Sequence, residues 1–480
     1  MNKALFTLYL LLFSVNFFSQ NKINSESFTG TIKILHTNDI HGNFSRFPRL
    51  AFVVDSIRNE NENVLLLNAG DIFTGNPLVD MNEEKGHQMI ELMNKLAFDL
   101  SILGNHEFDY GQEVLAKRIS EATFPFICAN IWQDGGVLPI PDPIKTIKAS
   151  NNLNINVLGL LDNSANGLPE SHPRRLKGLK FTNPIATAKK FEHLKNNCNL
   201  FIALTHLGKR QDIQLAETMP AIDIIIGGHS HTIIDTLLII NGVLITQADA
   251  HVRYLGEITV KFKNGDIVEK TSKLISLSSG GNIDKAVEKM INYYVQNPIL
   301  NEVIGAAIED LKGDEELGCF YADALKTEAN LDIVFQNSGG IRIDEIQKGN
   351  IKREQIYRLD PFGNYLMVLE MNVDEIKSLI KSSFSHGSID LRVSGINYTI
   401  FIENKSLINI QLTDNAGNKI DGDKRFKVGI NDYILSSYQF EHQDPGQSFG
   451  ATTAELLISY LQKKKTINYK GMQRTFIQNN

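Results

Sequence analysis

The chain has 480 residues, of which 42% are hydrophobic and 21% charged, and its formal net charge is -7. A single hydrophobic core stops growing at roughly 250–300 residues, so we expect more than one domain. The 48 Lys and Arg residues are outnumbered by 55 Asp and Glu residues, and no long basic run occurs. This balance argues against a nucleic-acid polymer as the main partner. An anionic substrate would therefore have to be held by metal ions or by a few well-placed arginines.

The N-terminal segment "MNKALFTLYLLLFSVNFFSQNK" has the pattern of a cleaved export signal, with a lysine, an apolar stretch over residues 4–18 and then polar residues. We predict a signal peptide over residues 1–20, cleaved near Ser19 or Gln20, and a periplasmic or extracellular mature protein. The alternative, a membrane anchor, needs about 20 clean apolar residues. This stretch is shorter and contains Ser14 and Asn16. We expect no membrane span after signal cleavage.

The three cysteines, Cys128, Cys198 and Cys319, are too few and odd in number for a disulfide framework. None is followed by an arginine six residues later, so the loop of a cysteine phosphatase is absent. We expect these residues to be small members of the core.

Between residues 31 and 276, short β-branched runs alternate with helical patterns. The runs are "TIKIL", "VLLLN", "FDLSILG", "FPFICAN", "NINVLGLL", "NLFIALT" and "IDIIIGG". The segments "RLAFVVDSIRNE" and "NPIATAKKFEHLKNN" place apolar residues at helical spacing. Near-continuous apolar strands that alternate with helices predict sheets buried on both faces, and therefore an α/β layered core.

The segment "NIDKAVEKMINYYVQNP" predicts one helix, which Pro298 ends. We interpret this helix as a linker over residues 281–300. It separates a first domain over residues 21–280 from a second α/β region over residues 301–480.

Five predicted strands of the first region end in side chains that can bind metals. These side chains are Asp39, His41, Asp71, Asn105, His106, Asp109, His206, His229 and His231. Ligands gather at the carboxyl ends of strands in layered α/β folds. The nine residues can therefore converge, although they span nearly two hundred positions.

Oxygen and nitrogen ligands without a thiolate suit divalent Zn, Mn, Fe or Co better than the all-oxygen sites of Ca or Mg. The set is too large for one tetrahedral ion. It fits two divalent ions about 3.5–4 Å apart that share a carboxylate. Such a pair would hold a bridging hydroxide as nucleophile and neutralise phosphate oxygens during in-line displacement.

Each motif alone has an ordinary structural interpretation. An Asp-x-His sequence at a strand end is commonly a turn, "GHSH" can be a flexible loop, and "GNHEFDYG" can be a helix start capped by Asn105. Five such strand ends in one region, however, favour a metal centre.

The motifs "TNDIHG", "GDIFTGNP", "LGNHEFDYG" and "GGHSHT" together resemble the signature of calcineurin-like metallophosphoesterases, and in particular their 5′-nucleotidase branch. "QNSGGIR" resembles the signature of that branch's C-terminal, nucleotide-binding domain. The likeness covers essentially the whole mature chain. It implies a layered β-sandwich flanked by helices and joined by a linker helix to a second α/β domain.

The resemblance also implies a role for each strand-end residue. Asp39, His41 and His231 would hold one metal, Asn105, His206 and His229 the second, and Asp71 would bridge them. His106 would not be a ligand, but would stabilise the transition state or protonate the leaving oxygen, with Asp109 orienting it. Independently, a spacing of three lets His106 and Asp109 meet within one helical turn. A carboxylate partner fixes the imidazole tautomer and favours its protonated form.

In the second region, "LDIVFQNSGGIR" predicts a strand, a Gly-Gly turn and an arginine. Glycines let backbone N–H groups approach an anion and an arginine can grip phosphate through two bonds, so we predict substrate contacts at Asn337 and Arg342. A tight turn with a surface arginine is the alternative. The resemblance further implies that Phe362 and Tyr433 stack on a base, which gives affinity with little base specificity. Buried core aromatics are the alternative for both.

Two departures from the family pattern concern substrate recognition. Where the family has a Gly-Gly-Asp-Gly turn whose acid binds the ribose hydroxyls, this chain has "SSYQFEHQDPGQSFG", with Asp444 as the displaced substitute. Where the family has an arginine before a Leu-Gly-Asn helix start, Lys312 is the nearest cation.

The leading hypothesis is an exported phosphohydrolase with two metal ions that releases phosphate from nucleoside 5′-monophosphates, small molecules rather than polymers. One alternative keeps the chemistry but acts on UDP-sugars, 2′,3′-cyclic nucleotides or other phosphate esters. A second alternative, of another class, is a catalytically dead nucleotide-binding protein. A complete ligand set with His106 and Asp109 argues against the latter.

Overall fold

The computed structural model describes residues 28–149, 153–164, 167–278, 280–296, 298–384, 388–422 and 424–479. The predicted signal peptide over residues 1–20 lies outside these ranges. Within them, no helix combines the length and the apolar character needed to cross a membrane. Cys128 and Cys319 are buried, as predicted, whereas Cys198 is partly exposed, and all three are free thiols.

The strands of the first half range from two to 11 residues in length. They are β1 (Gly30–Thr37), β2 (Val64–Asn68), β3 (Leu100–Ile102), β4 (Phe126–Ile127), β5 (Ile131–Gln133), β6 (Ile144–Lys148), β7 (Asn154–Leu161), β8 (Leu179–Phe181), β9 (Leu200–His206), β10 (Ile224–Ile226), β11 (Leu238–Ile240), β12 (Val243–Thr246), β13 (Tyr254–Lys263) and β14 (Asp266–Ser276).

The helices of this half lie between the strands. They are α1 (Phe47–Glu60), α2 (Pro77–Asp80), α3 (His87–Lys95), α4 (Gln112–Glu121), α5 (Pro184–Lys189), α6 (Lys209–Thr218) and α7 (Lys285–Tyr294). The predicted helix "NPIATAKKFEHLKNN" is broken, because α5 ends at Lys189 and a separate 3₁₀ turn follows over Glu192–Asn197.

Two six-stranded sheets pack face to face in the first half, in the orders β14-β13-β1-β2-β3-β4 and β11-β12-β10-β9-β7-β6. One apolar core lies between them and includes Ile34 of the first sheet and Ile202 of the second. The outer face of the first sheet, through Leu35, packs against α1, α3 and α4, and the outer face of the second packs against α5 and α6. The predicted α/β layered sandwich is confirmed.

The predicted linker helix is present as α7, and Pro298 follows four residues after its end. Its first turn is capped by Asp284, whose carboxylate accepts the backbone N–H of Val287 at 2.8 Å. Val287 and Ile291 are buried in the core beneath the first sheet. The helix is therefore packed on the first half rather than suspended between the two halves. The residue boundaries of the two domains stay predictions.

The second half is a separate α/β unit. Its strands are β15 (Val303–Ala307), β16 (Leu311–Lys312), β17 (Ile333–Asn337), β18 (Glu345–Ile346), β19 (Gly349–Lys352), β20 (Tyr365–Met371), β21 (Leu391–Ser394), β22 (Asn397–Glu403), β23 (Ser406–Thr413), β24 (Phe426–Asn431), β25 (Gln447–Thr452), β26 (Thr466–Ile467) and β27 (Thr475–Asn479). Its helices are α8 (Gly313–Ala329), α9 (Arg353–Leu359), α10 (Val373–Ser383), α11 (Asp432–Ser437) and α12 (Thr453–Lys464).

The central sheet of this half has the order β21-β17-β24-β20-β25. Helices α8 and α12 cover one face of it, whereas α10 and the β22–β23 hairpin cover the other. The carboxyl ends of β17 and β24 lie together, so that Asn337 and Asn431 are neighbours. This edge of the sheet faces the first half.

Candidate metal centre and active site

The five strands that carry the candidate ligands lie side by side within each sheet. In the first sheet β1, β2 and β3 are parallel neighbours, and in the second β9 and β10 are parallel neighbours. Their carboxyl ends therefore meet at one edge of the sandwich. We call seven residues at this edge the metal cradle: Asp39, His41, Asp71, Asn105, His206, His229 and His231.

Five cradle residues have left-handed backbone conformations, which non-glycine residues adopt rarely. Their φ angles are 49° for Asp39, 50° for His41, 55° for Asp71, 77° for His229 and 48° for His231. Such conformations cost about 1–3 kcal/mol each and persist where the surroundings enforce them, typically at functional sites. The turns after the strands thus adopt strained backbone conformations that direct these side chains toward one another.

One group of cradle atoms centres on His41. Its Nε2 lies 3.1 Å from Nε2 of His231 and 3.8 Å from Oδ2 of Asp71. His231 Nε2 lies 3.4 Å from Oδ1 of Asp39. The Nδ1 of His41 faces the carbonyl oxygen of Thr74 at 3.0 Å, so Nδ1 carries the proton and Nε2 is left with a lone pair. This is the arrangement expected of a metal-binding imidazole.

His206 shows the same arrangement on the other side of the cradle. Its Nδ1 donates to the carbonyl oxygen of Ala69 at 2.7 Å, which again leaves the lone pair on Nε2. That Nε2 is buried and has no hydrogen-bond partner among the described residues. It lies 3.0 Å from Oδ2 of Asp71 and 3.9 Å from Oδ1 of Asp39. A buried lone pair beside two carboxylates is suited to a cation.

Asn105 and His229 complete this side, with Oδ1 of Asn105 at 3.0 Å from Nδ1 of His229. Asp71 lies between the two groups, since its carboxylate is near both His41 and His206. Gly104 leaves room for it, because a Cβ at Gly104 would lie 2.2 Å from Oδ1 of Asp71.

The carboxylates and imidazoles of the cradle shift one another's pKa values. Burial by itself would raise the pKa of Asp71, but the imidazoles of His206 and His106 hold it well below its usual range. Burial by itself would lower the pKa of His206, but the carboxylates of Asp71 and Asp39 raise it to about 10, so without a metal ion Nε2 binds a proton through the lone pair that a cation would otherwise take. The buried carboxylates of Asp39 and Asp71 are therefore stabilised by positive charge beside them, which divalent cations would supply.

The donor set fits transition metals. Among the described residues, three groups of His and Asp hold ligand atoms within 4.8 Å of one another: Asp39 with His41 and His231, Asp39 with Asp71 and His206, and His41 with Asp71 and His106. Imidazole nitrogens and carboxylate oxygens suit Zn, Mn, Fe and Co. The first two groups contain ligand residues that the sequence predicts.

His106 and Asp109 form a hydrogen-bonded pair beside the cradle. The 3₁₀ turn over His106–Phe108 brings them together, with Nδ1 of His106 at 2.6 Å from Oδ2 of Asp109. The predicted contact is thus present. Burial lowers the pKa of His106, but Asp109 and Asp71 outweigh burial and raise it. The imidazole is held with Nδ1 toward Asp109, so its Nε2 is the atom left for chemistry.

Residues of both halves line one cleft beside this pair, which encloses about 590 Å³ including its open mouth. Its lining includes four of the predicted substrate contacts: Asn337, Arg342, Phe362 and Tyr433.

Two side chains of the second half reach the first half here. Nη2 of Arg342 lies 3.5 Å from Nε2 of His41, which brings a cation to the edge of the cradle. The ring of Phe362 stacks on the ring of His106, with centroids 5.7 Å apart and planes inclined by 23°. Asn337 is fixed by Asn431, whose Nδ2 donates to its Oδ1 at 2.9 Å.

The structure places Asp444, the predicted ribose contact, outside the lining of this cleft. Its carboxylate accepts the backbone N–H groups of Glu370 and Gly446, and it does not line the cleft. Lys312 is also absent from the lining, because it is exposed and pairs with Asp310.

Several residues of the site carry no recognisable sequence signal. Glu170, Ser171, His172 and Arg175 line the cleft from a loop of the first half. Glu107 is fully buried and accepts three backbone N–H groups of the cradle loops. An acid inside the "GNHEFD" motif could have drawn attention to Glu107, whereas nothing in the loop sequence marks the others.

Each half of the chain matches a known protein family. Residues 32–232 match the family described as calcineurin-like phosphoesterase, and residues 301–440 match the family described as 5′-nucleotidase, C-terminal domain. A 5′-nucleotidase of Vibrio cholerae is 30% identical over 424 residues, which are 72% of this chain and 74% of that protein.

A second relative is the trifunctional nucleotide phosphoesterase protein YfkN of Bacillus subtilis, 26% identical over 510 residues. The alignment covers 90% of this chain but 34% of that protein, so the chain spans about a third of its length. Among solved structures, a 5′-nucleotidase precursor of Thermus thermophilus matches with a TM-score of 0.82 and 23% identity, over 94% of this chain and 100% of that one. At this identity the match shows a shared fold.

Proposed function

The chain belongs to the 5′-nucleotidase family of calcineurin-like phosphoesterases, and we propose that it hydrolyses nucleoside 5′-monophosphates to nucleoside and phosphate. Membership of the family makes it a metal-dependent phosphoester hydrolase. The observation that carries the proposal is the shared cleft, in which the cradle and the His106–Asp109 pair of one half meet Arg342 and Phe362 of the other.

We assign two divalent ions to the cradle. Asp39, His41 and His231 would hold one, Asn105, His206 and His229 the other, with Asp71 shared. When bound, such ions supply Lewis-acid polarisation of the phosphate and activation of water. The lone pairs left on Nε2 of His41 and His206 support this assignment.

The chain's own residues would position and protonate the substrate. Arg342 is suited to bind a phosphate held at the cradle, because its guanidinium lies 3.5 Å from His41 and can form two parallel hydrogen bonds. His106 would act through Nε2, either by hydrogen bonding to the phosphoryl group or by giving a proton to the leaving 5′ oxygen. Asp109 keeps the Nδ1 proton in place in both cases.

The nucleoside would occupy the part of the cleft lined by Phe362, Tyr433 and Asn337. Aromatic faces bind bases with little discrimination among them. Because Asp444 lies outside the cleft and Asp109 is committed to His106, we assign the ribose hydroxyls to the carboxylate of Glu170, which lines the same cleft.

A second candidate keeps the metal centre and changes the substrate to UDP-sugars or 2′,3′-cyclic nucleotides. The positions of Asp444 and Lys312 favour it, because neither supplies the cleft with the expected ribose or phosphate contact. A catalytically dead nucleotide-binding protein is the alternative of another class. The paired His106 and Asp109 beside a complete cradle argue against it.

The test is phosphate release from AMP, UDP-glucose and 2′,3′-cyclic AMP by chelator-stripped protein to which Mn, Co or Zn is added back. We expect no turnover after stripping and the highest kcat/KM for AMP after metal is restored. Higher kcat/KM for UDP-glucose or the cyclic nucleotide would establish the second candidate. Full activity of the stripped protein would contradict the metal mechanism.

We also propose export, supported by the apolar stretch over residues 4–18. Expression of the full chain in a bacterial host, followed by cell fractionation and N-terminal sequencing, tests this. We expect a product in the periplasm or medium that begins near residue 20, whereas an uncleaved cytoplasmic product would contradict export.

A further inference from the structure

The carboxylate of Asp109 is held at both oxygens. Oδ2 lies 2.6 Å from Nδ1 of His106, whereas Oδ1 accepts the hydroxyl of Ser171 at 3.1 Å and lies 3.6 Å from Nη1 of Arg175. Ser171 lies in a loop of the first half, and Arg175 lies in the 3₁₀ turn that follows it over Pro173–Leu176. The orientation of the pair therefore depends on this loop as well as on the 3₁₀ turn that carries His106.

Arg175 also contacts the second half, since its Nη2 donates to the carbonyl oxygen of Phe362 at 3.2 Å. The ring of Phe362 in turn stacks on His106. His106, Asp109, Arg175 and Phe362 thus form a closed ring of contacts, in which one member comes from the second half. Arg175 is mostly buried, with 18% of its side chain exposed.

The neighbouring Arg174 provides a natural comparison. Its Nη1 donates to Oδ2 of Asp432 at 2.9 Å, and Nε2 of His172 lies 3.3 Å from the same oxygen. These contacts also join the loop to the second half, but they touch neither His106 nor Asp109. Arg174 is 46% exposed, as expected of an ion pair that only joins two surfaces.

We propose that Arg175 is a positioning residue of the hydrolytic reaction, which holds Asp109, and through it His106, in the working orientation while the second half is docked. The planar guanidinium can serve a carboxylate and a carbonyl at the same time, which the single ammonium of a lysine does less well. The inference rests on the proposed function in so far as His106 acts on the ester. It makes no assumption about which ester is the natural substrate.

Three variants test this role: Arg175→Met, which keeps the aliphatic stem, Arg175→Ala, and Arg174→Met as the matched control. Each is loaded with Mn, and kcat and KM are measured on p-nitrophenyl phosphate and on AMP, with metal content and thermal unfolding as checks. We expect Arg175→Met to lower kcat about 10- to 100-fold, because misplaced catalytic groups cost that much. KM for p-nitrophenyl phosphate and metal content should stay near those of the unmodified protein.

Arg174→Met should lower kcat by less than about fivefold, because exposed ion pairs contribute little. Added guanidinium should restore part of the kcat of Arg175→Ala and leave that of Arg174→Met unchanged. Equal losses in Arg174→Met and Arg175→Met would overturn the inference, since they would mean that both arginines only join the halves. An Arg175→Met protein that folds, binds metal and keeps full kcat would overturn it as well.

The outcome is distinguishable from a failure of the proposed function. An unmodified protein that cleaves p-nitrophenyl phosphate but no nucleotide would contradict the proposed function. The role of Arg175 would then still be decided on the synthetic ester.

Discussion

Glu107 ties together the two loops that flank the shared carboxylate of Asp71. One oxygen of Glu107 accepts the backbone N–H of Asp71 at 3.0 Å and that of Gly104 at 2.5 Å, and the other accepts the N–H of Ile72 at 2.6 Å. Because Asp71 is in a left-handed conformation, its loop needs such support. The carboxylate thus fixes the backbone from which the shared ligand projects.

Glu107→Gln should weaken metal binding without touching a ligand. An amide NH₂ would face backbone N–H donors in place of a carboxylate oxygen, and an unsatisfied buried donor costs about 1–3 kcal/mol. Loss of a partner that orients a ligand typically costs 10- to 100-fold in metal affinity or activity. Metal titration of the stripped variant measures this. Glu113→Gln, on the exposed surface of α4, is the control. An unchanged metal affinity in Glu107→Gln would show that the two loops keep their conformation without the carboxylate of Glu107.

His106→Ala should separate turnover from metal binding. General acid–base groups contribute about 10²- to 10⁴-fold to rate, so kcat for AMP should fall by that order while the metal content stays that of the unmodified protein. Elemental analysis run beside the kinetic assay gives both numbers. His193→Ala, at an exposed histidine, should change neither. A loss of metal in His106→Ala would instead make His106 a ligand, as its closeness to His41 and Asp71 allows.

Glu170→Gln should reduce discrimination between ribose and deoxyribose. If its carboxylate accepts the ribose hydroxyls, the ratio of kcat/KM for AMP to that for 2′-deoxy-AMP should fall about tenfold, since hydrogen bonds to charged groups contribute about 1.5–3 kcal/mol. Hydrolysis of p-nitrophenyl phosphate should be unaffected. Glu192→Gln, at an exposed site, is the control. A ratio that does not change would remove Glu170 from the sugar site.

Asp212→Asn should stabilise the fold at high pH. Oδ1 of Asp212 accepts the hydroxyl of Thr205 at 2.7 Å, but the buried Oδ2 has no hydrogen-bond partner among the described residues. Burial raises the pKa of Asp212 from 3.8 to about 7. Between about pH 4 and pH 7 the folded protein therefore holds a proton that the unfolded chain has lost, so stability falls as pH rises.

Above about pH 7, ionisation of the buried Asp212 lowers the free energy of unfolding by about 4 kcal/mol. Asparagine cannot ionise, so Asp212→Asn should recover part of this loss. Thermal unfolding at pH 8 should show a higher Tm for Asp212→Asn than for the unmodified protein, and the gain should vanish near pH 4. Asp55→Asn, on the exposed face of α1, is the control. An equal gain at both pH values would point to packing rather than charge.

The cradle could be predicted from the sequence because the ends of apolar strands can be recognised in it. Asp39 and Asp71 follow two mainly apolar strands within three residues, His206 ends a third, and parallel strands bring their carboxyl ends to one edge. The left-handed backbone at Asp39 and His231 could not be predicted, since it opposes the local preference of both residues and is enforced by tertiary contacts.

Contacts between distant segments account for the rest of what could not be predicted. Arg175 lies in a single 3₁₀ turn that has no periodic sequence pattern, and its partners Asp109 and Phe362 are fixed only when both halves are folded. Similarly, the helical pattern that begins at α5 ends at Lys189, and in the 3₁₀ turn that follows the carbonyl of Leu194 accepts the side-chain amide of Asn156. For Asp444 the expectation came from the family resemblance and not from a pattern in the chain itself. In the structure its carboxylate accepts the backbone N–H groups of Glu370 and Gly446 instead of lining the cleft.

The metal content of purified protein, measured beside that of Asp71→Ala, tests the central claim most directly. With Mn, Co or Zn supplied and excess removed, we expect about two ions per unmodified chain and nearly none in Asp71→Ala, because both ions share that carboxylate. Thermal unfolding should confirm that the variant is folded. A loaded, unmodified protein without transition metal, or an Asp71→Ala protein that keeps both ions, would contradict the account.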